Sequence, residues 1–254
     1  SLISLAVASV PEGLPAIISI ILSLGVQSMA RNNAIIRKLP TVETLGSMTV
    51  ICSDKTGTLT MNEMTVKAVI LADRAYQVEG ESYQPKGRII DVQTQKQIDV
   101  INTPVLNTFI TAVDLCNDSQ LMQDEKGHWG ITGGPTSGAL KVLAAKSNLN
   151  TGKVEPLDKI PFDSKHKYMS TLQRINGQTR LFVTGAPDVL FALASLELTE
   201  NGVQPFRREY WEEEMARYAR QGLRMVAAAL KDEPEIDGDL NHDHLQQGII
   251  FVGI

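Results

Sequence analysis

A short apolar stretch ending in an aspartate is the part of the sequence best suited to covalent chemistry. Residues 48–53 are mostly apolar or β-branched, which predicts a strand ending at Asp54, and Gly57 predicts a turn just beyond it. Ligands of open α/β sheets bind at the carboxyl ends of strands, where a carboxylate can attack a phosphoryl group. Asp54 is therefore the predicted nucleophile. The residues expected to gather negative charge around it follow directly: Lys55, Thr56, Gly57 and Thr58.

Attack by a carboxylate on a phosphate brings two negative groups together, so the predicted site needs a cation. Mg²⁺ is the expected cofactor, held by Asp54 and Thr56, because it would neutralise both groups as they approach. Taken as a bare pattern, an Asp-Lys-Thr sequence in a turn is most often only a solvated turn. The chemical interpretation therefore depends on the elements around it.

The N-terminal segment has the composition of a membrane span. Residues 1–30 contain no Lys or Arg and a single acid, Glu12. A helix of about 27 residues would reach about 40 Å, which exceeds the roughly 30 Å of a bilayer core. We therefore expect residues 1–27 to cross a cell membrane. Basic residues follow closely, which predicts that the chain after about residue 28 is cytoplasmic. A buried helix of a soluble protein is the alternative.

Glu12 lies between Pro11 and Pro15 inside that apolar segment. The two prolines remove amide donors and should break the helix, which frees carbonyl oxygens at membrane depth. An intramembrane carboxylate among free carbonyls predicts a site for a transported cation, and such oxygen ligands suit Ca²⁺. The alternative is a kinked helix in which Glu12 faces water.

Two motifs together resemble one family. Residues 54–60, Asp-Lys-Thr-Gly-Thr-Leu-Thr, are similar to the phosphorylation signature of P-type ion-pumping ATPases, and residues 11–15 resemble the ion-binding break in the fourth transmembrane helix of that family. The spacing of roughly 40 residues also agrees with the family. Further similar stretches cover nearly the whole chain: residues 115–118, 133–140, 161–170, 185–188 and 222–224.

The resemblance implies an α/β fold: a partial phosphorylation domain of haloacid-dehalogenase type, interrupted by an α+β nucleotide-binding domain. It also implies domain limits. Residues 1–27 would be the transmembrane segment with its ion-site break, and 28–61 the first part of the phosphorylation domain. The nucleotide-binding domain would occupy 62–240, and 241–254 would start the return into the phosphorylation domain.

The same resemblance implies where ATP binds. Phe162 matches the family position that stacks on adenine, and Lys167 and Arg224 match its cationic contacts. Thr184 and Gly185 fall where the family usually has Lys-Gly. Apart from the resemblance, Phe162 could equally be a core aromatic residue and the two cations solvated. Three positions lack a charge that the family usually carries: Gly134, Ser137 and Thr184.

The implied insertion is expected to contain both strands and helices, in an order without a strict βαβ rhythm. Such an order predicts a mixed, mainly antiparallel sheet with helices packed on it. The predicted elements are a hairpin with turns over residues 78–90, helices over 104–116, 136–147 and 205–221, a hairpin over 169–183 that turns at Asn176-Gly177, and a strand over 223–230. Residues 232–244 hold six acids with His242 and His244, which favours a solvated linker over a metal site.

Composition excludes several classes of protein. The 254 residues are 43% hydrophobic and 21% charged, which is typical of a globular chain and not of a disordered one. A net charge of −5 argues against nucleic acid as a partner, and two cysteines are too few for a disulfide framework. Because the chain begins at Ser1 and stops within the apolar run 248–254, we expect it to be a fragment.

These expectations combine into ATP-driven cation transport through an aspartyl phosphate. Ca²⁺ is favoured, because Pro-Glu-Gly-Leu-Pro resembles calcium pumps more than proton or heavy-metal pumps, while Na⁺, K⁺ or Mn²⁺ remain open. The fragment alone is expected to be inactive. One alternative is a phosphatase of haloacid-dehalogenase type, although that class usually has a second Asp where Thr56 stands. The other is a non-catalytic nucleotide-sensing module.

Overall fold

The computed structural model describes residues 13–149, 151–152, 155–175, 177–232, 234–236 and 238–254. The chain divides into two compact units, residues 1–61 and residues 62–254.

The described part of the first unit contains two helices, α1 (Leu14–Arg31) and α2 (Thr41–Leu45). Gly13 is the N-cap of α1, and a proline in the first turn suits a position whose amide has no helical partner. By length and composition α1 could cross a membrane: it has 18 residues, a mean hydropathy of 1.5 and no buried residue. Pro11 and Glu12 lie outside the described residues, and so does most of the predicted ion-site break.

The strand predicted over residues 48–53 is not formed. Residues 48–54 have neither helix nor strand hydrogen bonds and are exposed. An isolated strand is not stable, because its backbone groups need a neighbouring strand, and residues 13–61 contain no strand that could pair with it. The turn predicted at Gly57 is confirmed. Gly57 has φ +75°, and the amide of Leu59 donates to the carbonyl of Lys55 at 3.0 Å.

The second unit is built on a seven-stranded sheet. Its strands are β6 (Asp158–Asp163), β7 (Tyr168–Ile175), β8 (Gln178–Gly185), β9 (Ala194–Thr199), β10 (Gly202–Pro205), β11 (Ala227–Asp232) and β12 (Ile249–Gly253). Their order across the sheet is β10-β9-β12-β11-β8-β7-β6. Among the described strands only β9 and β12 pair in parallel, so the expected mixed, mainly antiparallel sheet is confirmed.

The described part of the second unit also contains two smaller sheets and four α-helices. One sheet contains β1 (Ala68–Ile70), β2 (Ala75–Val78) and β3 (Ile89–Asp91), and the other contains β4 (Gln120–Gln123) and β5 (Trp129–Thr132). The helices are α3 (Pro104–Leu115), α4 (Pro135–Lys146), α5 (Pro187–Leu193) and α6 (Arg208–Ala219). Two 3-10 turns lie at Val100–Asn102 and His242–Leu245. Three helices therefore follow the sequence prediction closely: α3, α4 and α6.

Alternation along the central strands creates two apolar cores, one on each face of the sheet. Phe182, Leu230 and Val252 pack with residues of α3 and α4 on one face. Their chain neighbours Leu181 and Phe251 pack on the other face with residues of α5 and α6. The sheet is thus the middle of three layers, and every central strand is buried on both sides.

The hairpin predicted over residues 169–183 is confirmed. β7 and β8 pair over eight positions, from Tyr168 with Gly185 to Ile175 with Gln178. Only two residues connect them, and Gly177 has φ +85°, as a two-residue hairpin turn requires. Asn176 itself lies outside the described residues.

Two C-terminal segments differ from the prediction. The strand predicted over residues 223–230 begins only at Ala227, because its partner β8 ends at Gly185, the residue paired with Ala227. Residues 223–226 therefore have no ladder to join. Residues 241–254 were expected to start the return to another domain, yet β12 lies between β9 and β11 in the seven-stranded sheet.

Candidate functional site

One pocket of about 310 Å³ is lined by all five residues predicted to contact a nucleotide. They reach it from separate parts of the chain: the end of β6, the β6–β7 turn, the end of β8 and the segment before β11. The five residues are Phe162, Lys167, Thr184, Gly185 and Arg224. The end of α3 and the start of α4 add Cys116, Asn117, Thr136 and Ser137 to the lining. We call this cavity the strand-end pocket.

Close approach of two strands forms one wall of the strand-end pocket. Gly185 pairs with both Tyr168 and Ala227. A Cβ atom on Gly185 would lie 2.5 Å from the carbonyl oxygen of Lys167 and 2.6 Å from the Cβ of Tyr168. Such contacts are too short for any side chain. Glycine is therefore required here by the backbone spacing.

Phe162 presents its ring to solvent at the mouth of the strand-end pocket. It is 61% exposed, whereas Phe109, Phe182, Phe191 and Phe251 are at most 2% exposed. Leaving so much aromatic surface in water is unfavourable unless a ligand covers it. The interpretation of Phe162 as a core aromatic residue is therefore wrong, and the ring is free to stack on a flat ligand.

The turn that follows Phe162 is held by backbone hydrogen bonds. The amide of Lys167 donates to the carbonyl of Asp163 at 2.7 Å, and the amide of Lys165 donates to Asp163 Oδ1 at 3.0 Å. Lys167 has φ +58°, a left-handed conformation that is uncommon outside glycine and asparagine. These hydrogen bonds fix the backbone of Lys167, which is one of the residues that line the strand-end pocket.

Two cationic side chains line the strand-end pocket. Lys167 Nζ lies 3.7 Å from Asp188 Oδ2, but both side chains are more than half exposed, so the pair is weak. Among the described residues Arg224 forms no ion pair within 4.0 Å. Both cations therefore remain able to meet a negatively charged ligand.

Thr184 does not supply a polar group to the middle of the strand-end pocket. It is 5% exposed, and its hydroxyl donates to the carbonyl of Cys116 at 3.2 Å. Burial raises the pKa of the Cys116 thiol to about 11, so this thiol stays protonated and is not a nucleophile. The floor of the pocket is therefore neutral.

The other two departures from the family pattern lie at the start of α4. Gly134 is the N-cap of this helix, and a Cβ placed on it would meet nothing within 4 Å. Ser137 lines the strand-end pocket, and its carbonyl accepts from Asn117 Nδ2 at 2.8 Å. Sequence reasoning did not assign Asn117 to the pocket. The available signal was its place directly after a predicted helix, where an amide side chain often satisfies free carbonyls.

In the predicted phosphorylation motif, residues 54–60, hydrogen bonds hold only the backbone turn. Residues 54–60 are exposed, and within residues 13–61 the Asp54 carboxylate has no hydrogen-bond partner. The hydroxyl of Thr60 donates to the carbonyl of Lys55 at 3.3 Å, which closes the turn. The described structure does not bring the side chains of Lys55, Thr56 and Thr58 against Asp54.

The sequence leaves a metal site around His242 and His244 as the alternative to a solvated linker. Over the described ranges, no group of three His, Cys, Asp or Glu side chains is arranged to hold a metal ion. His244 Nδ1 instead accepts from the amide of Asn241 at 3.1 Å and so caps the 3-10 turn that contains His242.

The second unit is thus a three-layer domain whose strand-end pocket carries an exposed aromatic ring and two exposed cationic side chains. The family model described as P-type ATPase, cytoplasmic domain N, matches residues 105–254. The chain therefore belongs to the P-type ATPase family.

Curated relatives agree with this assignment. The chain is 41% identical to the cation-transporting ATPase pma1 of Synechocystis sp., an alignment covering 99% of the chain and 28% of the relative. It is 39% identical to the calcium-transporting ATPase of Bacillus subtilis, over 90% and 26% of the two chains. It is 33% identical to the probable cation-transporting ATPase F of Mycobacterium tuberculosis, over 99% and 28%. The chain thus spans about a quarter of the length of these relatives.

Proposed function

We propose that this chain is the part of an ATP-driven cation pump that binds ATP in the strand-end pocket and accepts the γ-phosphoryl group on Asp54. The observation that carries the proposal is the convergence of Phe162, Lys167, Gly185 and Arg224 on one cavity, from positions up to 62 residues apart in the sequence. Phe162 differs from the buried Phe109, Phe182, Phe191 and Phe251 in exposing its ring, and it does so at an opening that two cations also line.

The chemistry of the lining suits ATP. The exposed ring of Phe162 offers a stacking surface for adenine, and base stacking on aromatic side chains contributes about 1–3 kcal/mol in nucleic-acid complexes. Lys167 and Arg224 supply positive charge for the phosphates. Gly185 has no side chain, so nothing projects into the pocket from this position of β8. The neutral Thr184 removes one positive charge, so we expect binding to be weaker than with lysine at this position.

Asp54 would act as the nucleophile. An ionised carboxylate oxygen attacks the γ-phosphorus, an O–P bond forms, and the bond from the γ-phosphorus to the β,γ-bridging oxygen breaks as ADP leaves. The carboxylate of Asp54 and the hydroxyl of Thr56 are hard oxygen donors of the type that Mg²⁺ prefers, and both are exposed. When bound there, Mg²⁺ would neutralise charge between carboxylate and phosphate. Lys55, Gly57 and Thr58 would orient the phosphoryl group.

The transported ion is proposed to be a cation bound near Glu12, with Ca²⁺ favoured. Two of the relatives described above are named only as cation-transporting, and the Bacillus subtilis relative is named as calcium-transporting. Helix α1 is long and apolar enough for the membrane segment, proposed to include residues 1–27. We further propose that residues 28–61 begin the phosphorylation domain, that the nucleotide-binding domain begins at residue 62 and includes β12 instead of ending at residue 240, and that both are cytoplasmic.

The direct test is nucleotide affinity of the whole chain, measured by calorimetry with ATP. Phe162→Ala should weaken binding by about 1–3 kcal/mol, because the stacking surface is removed. Met122→Ala is the matched control, since Met122 is similarly exposed at 53% but lies on β4, outside the pocket lining. Equal dissociation constants for parent and Phe162→Ala would show that the strand-end pocket is not the nucleotide site.

A second candidate function is a nucleotide-binding module that is never phosphorylated. Thr184 favours it, because its hydroxyl is committed to Cys116 where the family usually has a cation at the nucleotide. The two functions differ at Asp54 alone. Incorporation of γ-phosphate into the full-length protein would decide for the pump, and ATP binding without incorporation would decide for the module.

A further inference from the structure

Apart from Lys167 and Arg224, the side chains that line the strand-end pocket are neutral. Within the described part of the chain, no aspartate or glutamate belongs to this lining. Besides the buried thiol of Cys116, four neutral side chains of the lining carry a hydroxyl or an amide group: Asn117, Thr136, Ser137 and Thr184. The edge of a base bound in this cavity therefore meets no carboxylate.

The two threonine hydroxyls of the lining donate their protons to acceptors within the protein. Thr184 is buried and donates to the carbonyl of Cys116 at 3.2 Å. Thr136 donates to Met64 Sδ at 3.5 Å, which holds the start of α4 against the chain before β1. Because a hydroxyl has a single hydrogen, neither threonine has a free donor for a ligand.

The amide side chain of Asn117 is also fully used by the protein. Its Nδ2 donates to the carbonyl of Val113 at 3.2 Å and to the carbonyl of Ser137 at 2.8 Å. Its Oδ1 accepts from the amide of Ser119 at 2.8 Å. These three bonds join the end of α3 to the start of α4. Asn117 thus fixes the backbone of the lining and has no hydrogen left to donate to a ligand.

Ser137 differs from the other three residues, because its hydroxyl has no hydrogen-bond partner in the described ranges. It is the third residue of α4 and is half-buried. Its carbonyl is held by Asn117, so the backbone that carries the hydroxyl is fixed. Among the neutral side chains of the described lining, Ser137 is therefore the one that keeps both a donor and an acceptor for a ligand.

A hydroxyl and a carboxylate select differently between purine bases. At position 6 adenine has an amino group, which donates a hydrogen bond, whereas guanine has an oxygen, which accepts one. Hypoxanthine, the base of ITP, has the same oxygen. A hydroxyl can accept from the amino group or, after rotation, donate to the oxygen, but a carboxylate can only accept. A pocket that reads position 6 through a hydroxyl therefore accepts both kinds of purine.

We propose that Ser137 contacts position 6 of a purine bound in the strand-end pocket, and that the pocket therefore binds 6-oxopurine nucleoside triphosphates about as well as ATP. The inference rests on the proposed function, which places the base on Phe162. Stacking on that ring does not choose between bases, because every base has a π-face. Lys167 and Arg224 meet the triphosphate, which all these nucleotides share. The choice between purines is thus left to the hydroxyl of Ser137.

The test is the ratio of the dissociation constants for ITP and ATP, measured by calorimetry on the whole chain. For the parent we expect the two constants to agree within about threefold. Ser137→Glu should favour ATP by about tenfold or more, because its carboxylate accepts from the amino group and repels the oxygen. An acid in the first turn of α4 also suits the helix dipole, so the helix is retained. Ser137→Ala should weaken both nucleotides alike, by about two- to tenfold.

Controls separate the possible failures. Thr132→Glu adds the same charge at an exposed position of β5 outside the lining and should keep the parent's ratio. Binding of neither nucleotide by the parent would contradict the proposed function. A parent that binds ATP but rejects ITP by tenfold or more would contradict only the role of Ser137, and would assign the choice to the backbone of residues 224–226, which line the same cavity. An unchanged ratio in Ser137→Glu would likewise overturn the inference.

Discussion

The predicted phosphorylation motif and the strand-end pocket differ in how their side chains are held. Residues 54–60 are contiguous, exposed and fixed by hydrogen bonds within one turn. The pocket draws Phe162 from β6, Thr184 from β8 and Arg224 from the segment before β11, and the ladders among β6, β7, β8 and β11 set the positions of these strands. A contiguous motif can therefore form its own turn, but it cannot by itself place a carboxylate against groups that are distant in the sequence. The side chains of the strand-end pocket come from separate segments, so they meet only when the strands of the sheet have paired.

The largest expected effect is loss of the phosphoenzyme, which should depend on Asp54 and not on the strand-end pocket. In the full-length protein, Asp54→Asn should abolish the acid-stable, hydroxylamine-labile phosphoenzyme, because an amide cannot accept the phosphoryl group, while ATP affinity stays within about twofold of the parent. Labelling with γ-phosphate and ATP titration check the two parts. Label that persists in Asp54→Asn would remove Asp54 as the nucleophile.

The sheet itself can be weakened without touching either site. Glu197 on β9 is fully buried, and its carboxylate accepts from Trp211 Nε1 at 2.6 Å, from Gln204 Nε2 at 2.6 Å and from Arg207. Glu197→Ala leaves these donors without their acceptor and should lower the free energy of unfolding of the second unit by about 2–4 kcal/mol. Glu200→Ala is the control, because its ion pair with Arg74 is exposed and contributes at most about 1 kcal/mol.

The same residue predicts a pH dependence. Burial raises the pKa of Glu197, but hydrogen bonds from Gln204, Trp211 and Arg207 outweigh burial and lower it below its usual range. Because the folded-state pKa is lower, the stabilisation is present above the unfolded pKa of about 4.5 and is lost as pH falls through the folded value. Denaturation of Glu197→Gln should therefore show a shallower loss of stability in acid than the parent. An identical acid limb would contradict this assignment.

A third change tests the proposed ion site in the first unit. In the full-length protein, Glu12→Gln keeps the shape of the side chain and removes its charge, so ion-dependent phosphorylation should fall by about tenfold or more. Nucleotide affinity should be unchanged, because the pocket lies in the second unit. Transport of Ca²⁺ and other cations at the parent rate would show that Glu12 is not a ligand.

The smallest expected effect is a change in ATP affinity when Thr184, in the floor of the strand-end pocket, is replaced. Thr184→Lys would break the hydrogen bond to Cys116 but place a cation at the wall where the family usually has one. We expect ATP to bind about three- to tenfold more tightly, since the gain from a charged contact exceeds the loss of a neutral hydrogen bond. Thr184→Val removes the hydroxyl without adding charge and serves as the control. Tighter binding by Thr184→Val would attribute the effect to the hydroxyl and not to the charge.

Local sequence by itself determined several features of this protein. The hairpin of β7 and β8 followed from alternation and a two-residue glycine turn, α3 and α4 followed from helical periodicity, and the family followed from contiguous motifs at residues 11–15 and 54–60. These signals involve residues that interact within a few positions of one another. They therefore survive in a single sequence.

Tertiary structure decided the rest. Residues 48–53 have the composition of a strand, but no strand within the described part of their unit is there to pair with them, so no ladder forms. The strand expected from residue 223 begins at Ala227 because β8 ends opposite it. The stacking of His166 on His242, 76 residues away, and the turning of Thr184 toward Cys116 depend on which strands become neighbours. The order of the strands determines which backbone and side-chain groups become partners across the sheet. This order cannot be inferred from local periodicity.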